Sequence, residues 1–216
     1  MLLCYITDRK QFSGDEVTRR RLLLQKIADA VRCGVDFMQL REKDLSGRDL
    51  EALAHEVVGI VQKNLGAASR APGTRLLVNS RTDVAVAVGA DGVHFRSDDI
   101  SALQVRGIWA ESGAGSHAQM MVSVSCHSAE DVRRAAADGA DFALFGPVFE
   151  KQGAAQIGPA GLDNLGRACK EKIPVLALGG VTVENAQSCL DAGAAGIAGI
   201  RLFQENDISK IVELLR

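Results

Sequence analysis

Along this chain, stretches with apolar residues at helical spacing repeatedly give way to short runs that are apolar throughout. Val17, Leu22, Leu23, Ile27, Ala28, Ala30 and Val31 fall mostly on one face of a helix expected from about Asp15 to Arg32. Leu50, Leu53, Ala54, Val57, Val58 and Val61 stripe a second helix, capped by Ser46. The runs between helices are too short and too apolar for anything but buried strands. Four of them follow a glycine turn: Gly34-Val35-Asp36-Phe37-Met38-Gln39-Leu40, Gly89-Ala90-Asp91-Gly92-Val93-His94-Phe95, Gly139-Ala140-Asp141-Phe142-Ala143-Leu144-Phe145 and Gly193-Ala194-Ala195-Gly196-Ile197-Ala198-Gly199-Ile200. Each glycine stands where a helix needs a left-handed residue to stop. The copies are 55, 50 and 54 residues apart, too far for one strand-helix unit and right for two. Four doubled units predict an α/β chain of eight strands alternating with helices, a single (β/α)8 TIM barrel over residues 1–216.

The remaining strands are expected at Leu3–Thr7, Leu76–Asn79, Met121–Ser125 and Val175–Leu178. Further helices are expected at Thr82–Val88, Ile100–Trp109, Ser128–Asp138 with Ser128 as cap, Leu162–Lys172, Val183–Asp191 and Ile208–Arg216. The segment Glu150 to Ala160 is rich in Gly and Ala and unpatterned, and reads as a lid-type loop.

Composition narrows the function. A chain that is 47% hydrophobic and 24% charged suits a soluble enzyme. A net charge of −2 and few aromatics give no case for nucleic acid or an anionic membrane as partner. Five scattered cysteines lack metal-ligand spacing and read as small buried residues of a reducing compartment. No apolar run approaches membrane-spanning length, and Thr7, Asp8 and Arg9 interrupt the opening segment. A cytoplasmic protein is expected.

In such a barrel the reactive groups project from the carboxyl ends of the strands. The second strand ends Gln39-Leu40-Arg41-Glu42-Lys43, and alternation puts Gln39, Arg41 and Lys43 on one face. A guanidinium fork beside a point charge suits a polyanion such as diphosphate. The competing reading is a structural ion layer in which Arg41 pairs with Asp8 or Glu42. Gly179-Gly180 and Gly199-Ile200-Arg201 close adjacent strands, where bare N–H groups cradle a phosphate or backbones simply pack closely. Asp98 and Asp99 read either as Mg²⁺ ligands or as a cap for the helix at Ile100. Ser125 and His127, two apart, read either as both lining the mouth or with His127 merely preceding the Ser128 cap, and no acid lies nearby in the sequence to make a hydrolytic triad. His94 reads equally as a satisfied core histidine or a ligand contact, while Tyr5 and Trp109 read as packing.

At these residues the chain resembles the thiamine phosphate synthase family, which includes related thiazole tautomerases. The likeness runs through Tyr5-Ile6-Thr7-Asp8-Arg9, the second-strand motif, Val88-Gly89-Ala90-Asp91-Gly92-Val93-His94, Ser125-Cys126-His127-Ser128, Gly139-Ala140-Asp141, Phe145-Gly146-Pro147-Val148-Phe149 and Leu178-Gly179-Gly180-Val181. The resemblance implies a synthase that joins hydroxymethylpyrimidine diphosphate to thiazole phosphate and releases diphosphate. It implies that Gln39 contacts the pyrimidine, that Arg41, Lys43 and Asn79 hold the diphosphate, and that Ser125 touches the leaving group. Asp99 would bind Mg²⁺, and Gly180, Ile200 and Arg201 would seat the thiazole phosphate. Partners are then small phosphorylated substrates, with a homodimer left open.

The chain departs from the family pattern at three places. Ser80 replaces one of two metal carboxylates, the loop after the sixth strand offers only Lys151 where the family has a threonine and paired lysines, and Ala198 and Arg201 stand where serines are usual. The first two losses point toward the tautomerase branch, in which His127 would be the acid-base group. Lys43 and Asp99, for which a tautomerase has little use, point back to the synthase. The synthase is the expected function, with the tautomerase and a non-catalytic phosphate-ligand binder of regulatory role as alternatives.

Overall fold

The computed structural model describes residues 1–65, 73–111, 120–150 and 160–216. Eight parallel strands close into a barrel in sequence order: β1 (Leu2–Ile6), β2 (Phe37–Leu40), β3 (Arg75–Asn79), β4 (Gly92–Arg96), β5 (Met121–Cys126), β6 (Phe142–Phe145), β7 (Val175–Leu178) and β8 (Gly196–Gly199), with β8 pairing back to β1. The intervening helices are α1 (Glu16–Arg32), α2 (Gly47–Leu65), α3 (Thr82–Val88), α4 (Ala102–Glu111), α5 (Ala129–Ala137), α6 (Gly161–Ala168) and α7 (Val183–Asp191), followed by α8 (Arg201–Gln204) and α9 (Ile208–Leu215). The expected TIM barrel is the observed one. No helix among the described residues is long and apolar enough to cross a membrane.

The four glycines of the repeat are left-handed as expected, with φ of 76° at Gly34, 66° at Gly89, 82° at Gly139 and 103° at Gly193. The aspartate two residues later has a role the sequence reading did not assign. The carboxylates of Asp36, Asp91 and Asp141 accept the backbone N–H of Leu3, Leu76 and Val122 at 2.8, 2.7 and 2.6 Å. Each aspartate N–H also donates to that same residue's carbonyl. Each pair of strands is thus pinned at its amino end by two bonds. The fourth copy has Ala195, whose N–H bonds the Val175 carbonyl and which has no carboxylate to add.

Strand alternation separates two cores. Outward residues such as Leu3, Tyr5, Met38, Leu40, Val93 and Ile197 pack with the helix faces around Leu23, Ile27, Leu53 and Val57. Inward residues form a separate cluster with no helix residue in it: Cys4, Ile6, Leu77, Phe142, Leu144, Leu176 and Ala198, with Leu178 and Ile200 against it. Phe37 and Phe142 stack across the barrel near its amino end, their ring centroids 4.7 Å apart.

Several boundaries moved. The fourth helix begins at Ala102 rather than Ile100, because Ser101 caps it: its hydroxyl accepts from Gln104 N–H while Gln104 Oε1 accepts from Ser101 N–H. That corrects the reading of Asp98 and Asp99 as caps. The sixth helix stops at Ala168, short of Lys172, and the last strand stops at Gly199 rather than Ile200. Arg201–Gln204 forms a helical turn that was not expected, being too short to show helical periodicity. It buries Leu202 and Phe203, with Phe203 5.6 Å from the Tyr5 ring, and Gln204 exchanges two hydrogen bonds with the Asp8 backbone. The lid reading of residues 150–160 and the position of Lys151 fall outside the described residues apart from Glu150 and Ala160.

Candidate active site

The inward parity that places Phe37 and Leu77 in the barrel continues upward through Gln39 on β2, Arg41 just beyond it and Asn79 on β3. On β4 and β5 the same parity gives His94, Arg96, Ser123 and Ser125. These groups meet one another. Gln39 Nε2 donates to Asn79 Oδ1 at 2.9 Å, and Asn79 Nδ2 donates to the Ser80 hydroxyl at 3.2 Å. His94, 4% exposed, lies between two serines, with Nδ1 2.8 Å from Ser123 Oγ and Nε2 2.8 Å from Ser125 Oγ. Burial, with the charge of Arg41 adding to it, pushes the His94 ring down to about 3. It is neutral at physiological pH, which makes one ring nitrogen a donor and the other an acceptor. His94 is therefore a satisfied interior histidine and also a neighbour of the candidate site.

Arg41 does not form the structural ion pair that competed with the anion-site reading. Glu42 points outward and is taken by Arg9, whose backbone N–H lies 3.2 and 3.0 Å from the two carboxylate oxygens and whose Nη1 adds a 3.2 Å bond. The same guanidinium holds Asp44 through two bonds, at 2.7 and 2.9 Å, and Glu16 through Nε at 2.6 Å. Arg9 pulls Asp44 well below the usual carboxylate range, whereas burial outweighs the Arg9 contacts and raises Glu42. The three carboxylates are spent on one buried arginine. Arg41, whose backbone N–H is held by Thr7 Oγ1 at 2.9 Å, and Lys43 have no ion-pair partner among the described residues. Lys43 is exposed in the turn beyond the strand; the Arg41 charge lowers it first, then burial and Arg96. Two like charges held this close favour a polyanion between them. Arg9 was visible in the sequence after the first strand, but nothing there shows which of four nearby carboxylates an arginine will choose.

The other candidate residues divide. Asp99 is exposed and its Oδ2 accepts from Arg96 N–H at 3.1 Å, leaving Oδ1 without a partner among the described residues. Asp98 pairs instead with the Arg96 guanidinium. Ser80, at the end of the neighbouring strand, has a left-handed φ of 56° and donates its N–H to the His94 carbonyl at 2.8 Å. No group of three His, Cys, Asp or Glu side chains that could hold a metal ion is gathered among the described residues. One free carboxylate oxygen fits Mg²⁺ only where substrate phosphates supply much of the shell, which is the ordinary habit of that ion.

His127 is exposed, its backbone N–H donates to Asp131 at 3.1 Å, and its Nδ1 lies against the Gly146 carbonyl. A carbonyl only accepts, so Nδ1 is the ring's donor to Gly146 and, in an uncharged ring, Nε2 is the acceptor.

Across the mouth, Leu178 pairs with Ala198, which sets Gly180 and Ile200 at one level two residues further on. Gly180 needs its glycine twice over: φ is 67°, and a Cβ would come within 2.7 Å of Phe149 Cβ and 2.8 Å of the Glu150 carbonyl. The close-packing reading of this glycine therefore holds, beside whatever ligand its N–H meets. Arg201 points along α8 to Glu205, 3.7 Å away.

A closed barrel with convergent polar side chains, and with two cations that lack an ion-pair partner among the described residues, at the carboxyl ends of its strands, is the arrangement of a (β/α)8 enzyme site suited to anionic small molecules. Comparison with known proteins names the family. Residues 3–203 match the family described as thiamine monophosphate synthase, and the chain belongs to it. It is 40% identical over 198 residues to a putative thiamine-phosphate synthase of Geobacter sulfurreducens, covering 91% of this chain and 83% of that one. It is 37% identical over 199 residues to a thiamine-phosphate synthase of Roseiflexus castenholzii, covering 90% and 77%. Among solved structures, thiamine phosphate pyrophosphorylase from Pyrococcus furiosus superposes with a TM-score of 0.77 at 26% identity, covering 100% of this chain and 93% of that one. The expected family is borne out, and these relatives carry the name of the synthase branch.

Proposed function

We propose that this protein is a thiamine-phosphate synthase, joining hydroxymethylpyrimidine diphosphate to thiazole phosphate with release of diphosphate. The observation that carries the reading is the pair Arg41 and Lys43, kept free of carboxylates because Arg9 engages Glu42 and Asp44. In the reaction, the thiazole nitrogen donates its electron pair to the pyrimidine methylene carbon. The carbon–oxygen bond to diphosphate breaks, and its electrons leave on the diphosphate oxygen. Negative charge grows on the leaving group, and positioned cations stabilise that change without any protein nucleophile. Arg41, Lys43 and Asn79 hold the diphosphate, with Lys151, from the segment after the sixth strand, as a further cation. Gln39 orients the pyrimidine, and Ser125 donates to the leaving group. Gly180, Ile200 and Arg201 receive the thiazole phosphate on the opposite rim. Asp99, with substrate oxygens, would hold Mg²⁺, which neutralises part of the diphosphate charge. A cytoplasmic location belongs to the same reading, which leaves a homodimer open.

The test is a diphosphate-release assay with the two substrates, with and without Mg²⁺. Mg²⁺-dependent release sustains the synthase, and its absence ends that reading. The His127 geometry favours a second reading, because a ring with Nε2 open as an acceptor suits the proton transfer of a thiazole tautomerase. Metal-independent isomerisation lost in His127→Ala would select it. Thiazole phosphate binding without turnover of either substrate set would leave a regulatory binder.

A further inference from the structure

Ser123, His94 and Ser125 form a line across two strands, from the closed interior to the mouth. Ser123 is 1% exposed, and His94 Nδ1 is the sole partner of its hydroxyl among the described residues. Were Nδ1 protonated, the ring would donate to Ser123, and the serine proton would be stranded in a dry interior. A buried unpaired donor is the more unfavourable arrangement. The Ser123 hydroxyl therefore donates to Nδ1, and the single ring proton is on Nε2. Nε2–H then donates to Ser125 Oγ, and that contact fills a lone pair of the Ser125 hydroxyl rather than its proton.

We propose that Ser123 and His94 are positioning residues: a one-way hydrogen-bond relay, Ser123 to His94 to Ser125, that leaves the Ser125 proton free to donate to a substrate anion. The opposite ring tautomer would accept from Ser125 and offer lone pairs to an incoming diphosphate, which repels it. The direction of the relay thus makes a half-buried serine at the mouth a donor. Burial and the neighbouring Arg41 keep the ring uncharged, so the direction does not reverse over the working pH range. The proposal rests on the reading that Ser125 faces the leaving diphosphate.

The experiment combines ¹⁵N NMR of the intact protein with calorimetric titration of inorganic diphosphate in Mg²⁺ buffer. The His94 ring is expected as the Nε2–H tautomer, unchanged between about pH 5 and pH 8. Glutamine reaches the Nε2 position and asparagine only the Nδ1 position. His94→Gln should therefore keep the diphosphate Kd within about threefold, and His94→Asn should weaken it by about tenfold. An Nδ1–H ring, a ring that titrates in that range, or equal binding by the two variants overturns the relay. Ser125→Ala separates the two layers. If it leaves diphosphate affinity unchanged, the contact with the leaving group is wrong, while the NMR result still judges the relay alone and needs no variant to fold.

Discussion

The barrel interior has two unlike arcs. From β2 to β5 its upper positions are Gln39, Arg41, Asn79, His94, Arg96, Ser123 and Ser125; most are bonded to one another, Arg96 is paired with Asp98, and Arg41 is left charged and open. From β6 round to β1 they are Leu144, Leu176, Leu178, Ala198, Ile200, Cys4 and Ile6, packed as hydrocarbon with a single buried thiol. The strand geometry and the inward parity are the same in both. The difference is what stands behind each arc. The polar arc is braced by buried hydrogen bonds and by Arg9, which takes up the nearby carboxylates. The apolar arc needs only close packing. It leaves a hydrocarbon wall beside the backbone N–H groups of Gly180 and Ile200, where the proposed function seats the thiazole phosphate.

The largest effect expected from breaking this contrast is on Arg9. Arg9→Ala leaves Glu42 buried without its cation and should cost about 3–5 kcal/mol of stability in urea unfolding. Its pH dependence has a definite sign. Burial raises the folded Glu42 carboxyl above its ordinary 4.5, and loss of Arg9 raises it further. The folded state then holds the proton more tightly than the unfolded one, so the variant should regain stability as pH falls through the folded value toward 4.5, and lose it as pH rises. Equal deficits at pH 5 and pH 8 (both values approximate) would show that Glu42 is not the group left exposed to the loss.

Leu176→Ala, in the opposite arc, should cost about 2–5 kcal/mol through the cavity it leaves, with kcat per folded molecule nearly unchanged. A loss of activity without a loss of stability there would merge the two arcs functionally. Arg41→Ala should do the reverse, lowering kcat/KM for diphosphate release by about a hundredfold, or ~2.7 kcal/mol, at near-parental thermal stability. The last effect concerns acid. The folded His94 lies near 3 against 6.5 for a free ring, so the stability tied to its neutrality is complete above 6.5 and is lost as pH falls toward 3. The slope is about 1.4 kcal/mol per pH unit, and His94→Gln should remove that slope, about 2.8 kcal/mol in all, between pH 6 and pH 4 (approximate limits).

Much of this was legible from the residues in order. The glycine turns are local, because a helix end at Gly34 or Gly89 requires a left-handed φ wherever the chain goes next. Strand parity is also local, and it put Gln39, Arg41 and Ser125 in the interior without knowledge of any neighbour. The aspartates after three of the turns were visible but not interpretable, since their partners Leu3, Leu76 and Val122 are contributed by the preceding strand. The Arg201–Gln204 turn was missed for the opposite reason: four residues are too few for a periodic signal, and what holds them is Tyr5 and Asp8 at the far end of the chain.

The sequence by itself determined the eightfold strand-helix order, the family, and the list of polar groups at the strand ends, because periodicity, turn chemistry and motif are written within a few residues of each other. Tertiary structure alone decided which of those groups are spent on one another. Glu42 went to Arg9 and not to Arg41, and His94 went between two serines of the next strand. Pairing of charges and hydrogen bonds acts over a few ångströms between residues far apart in the chain, and only closure of the barrel sets those distances.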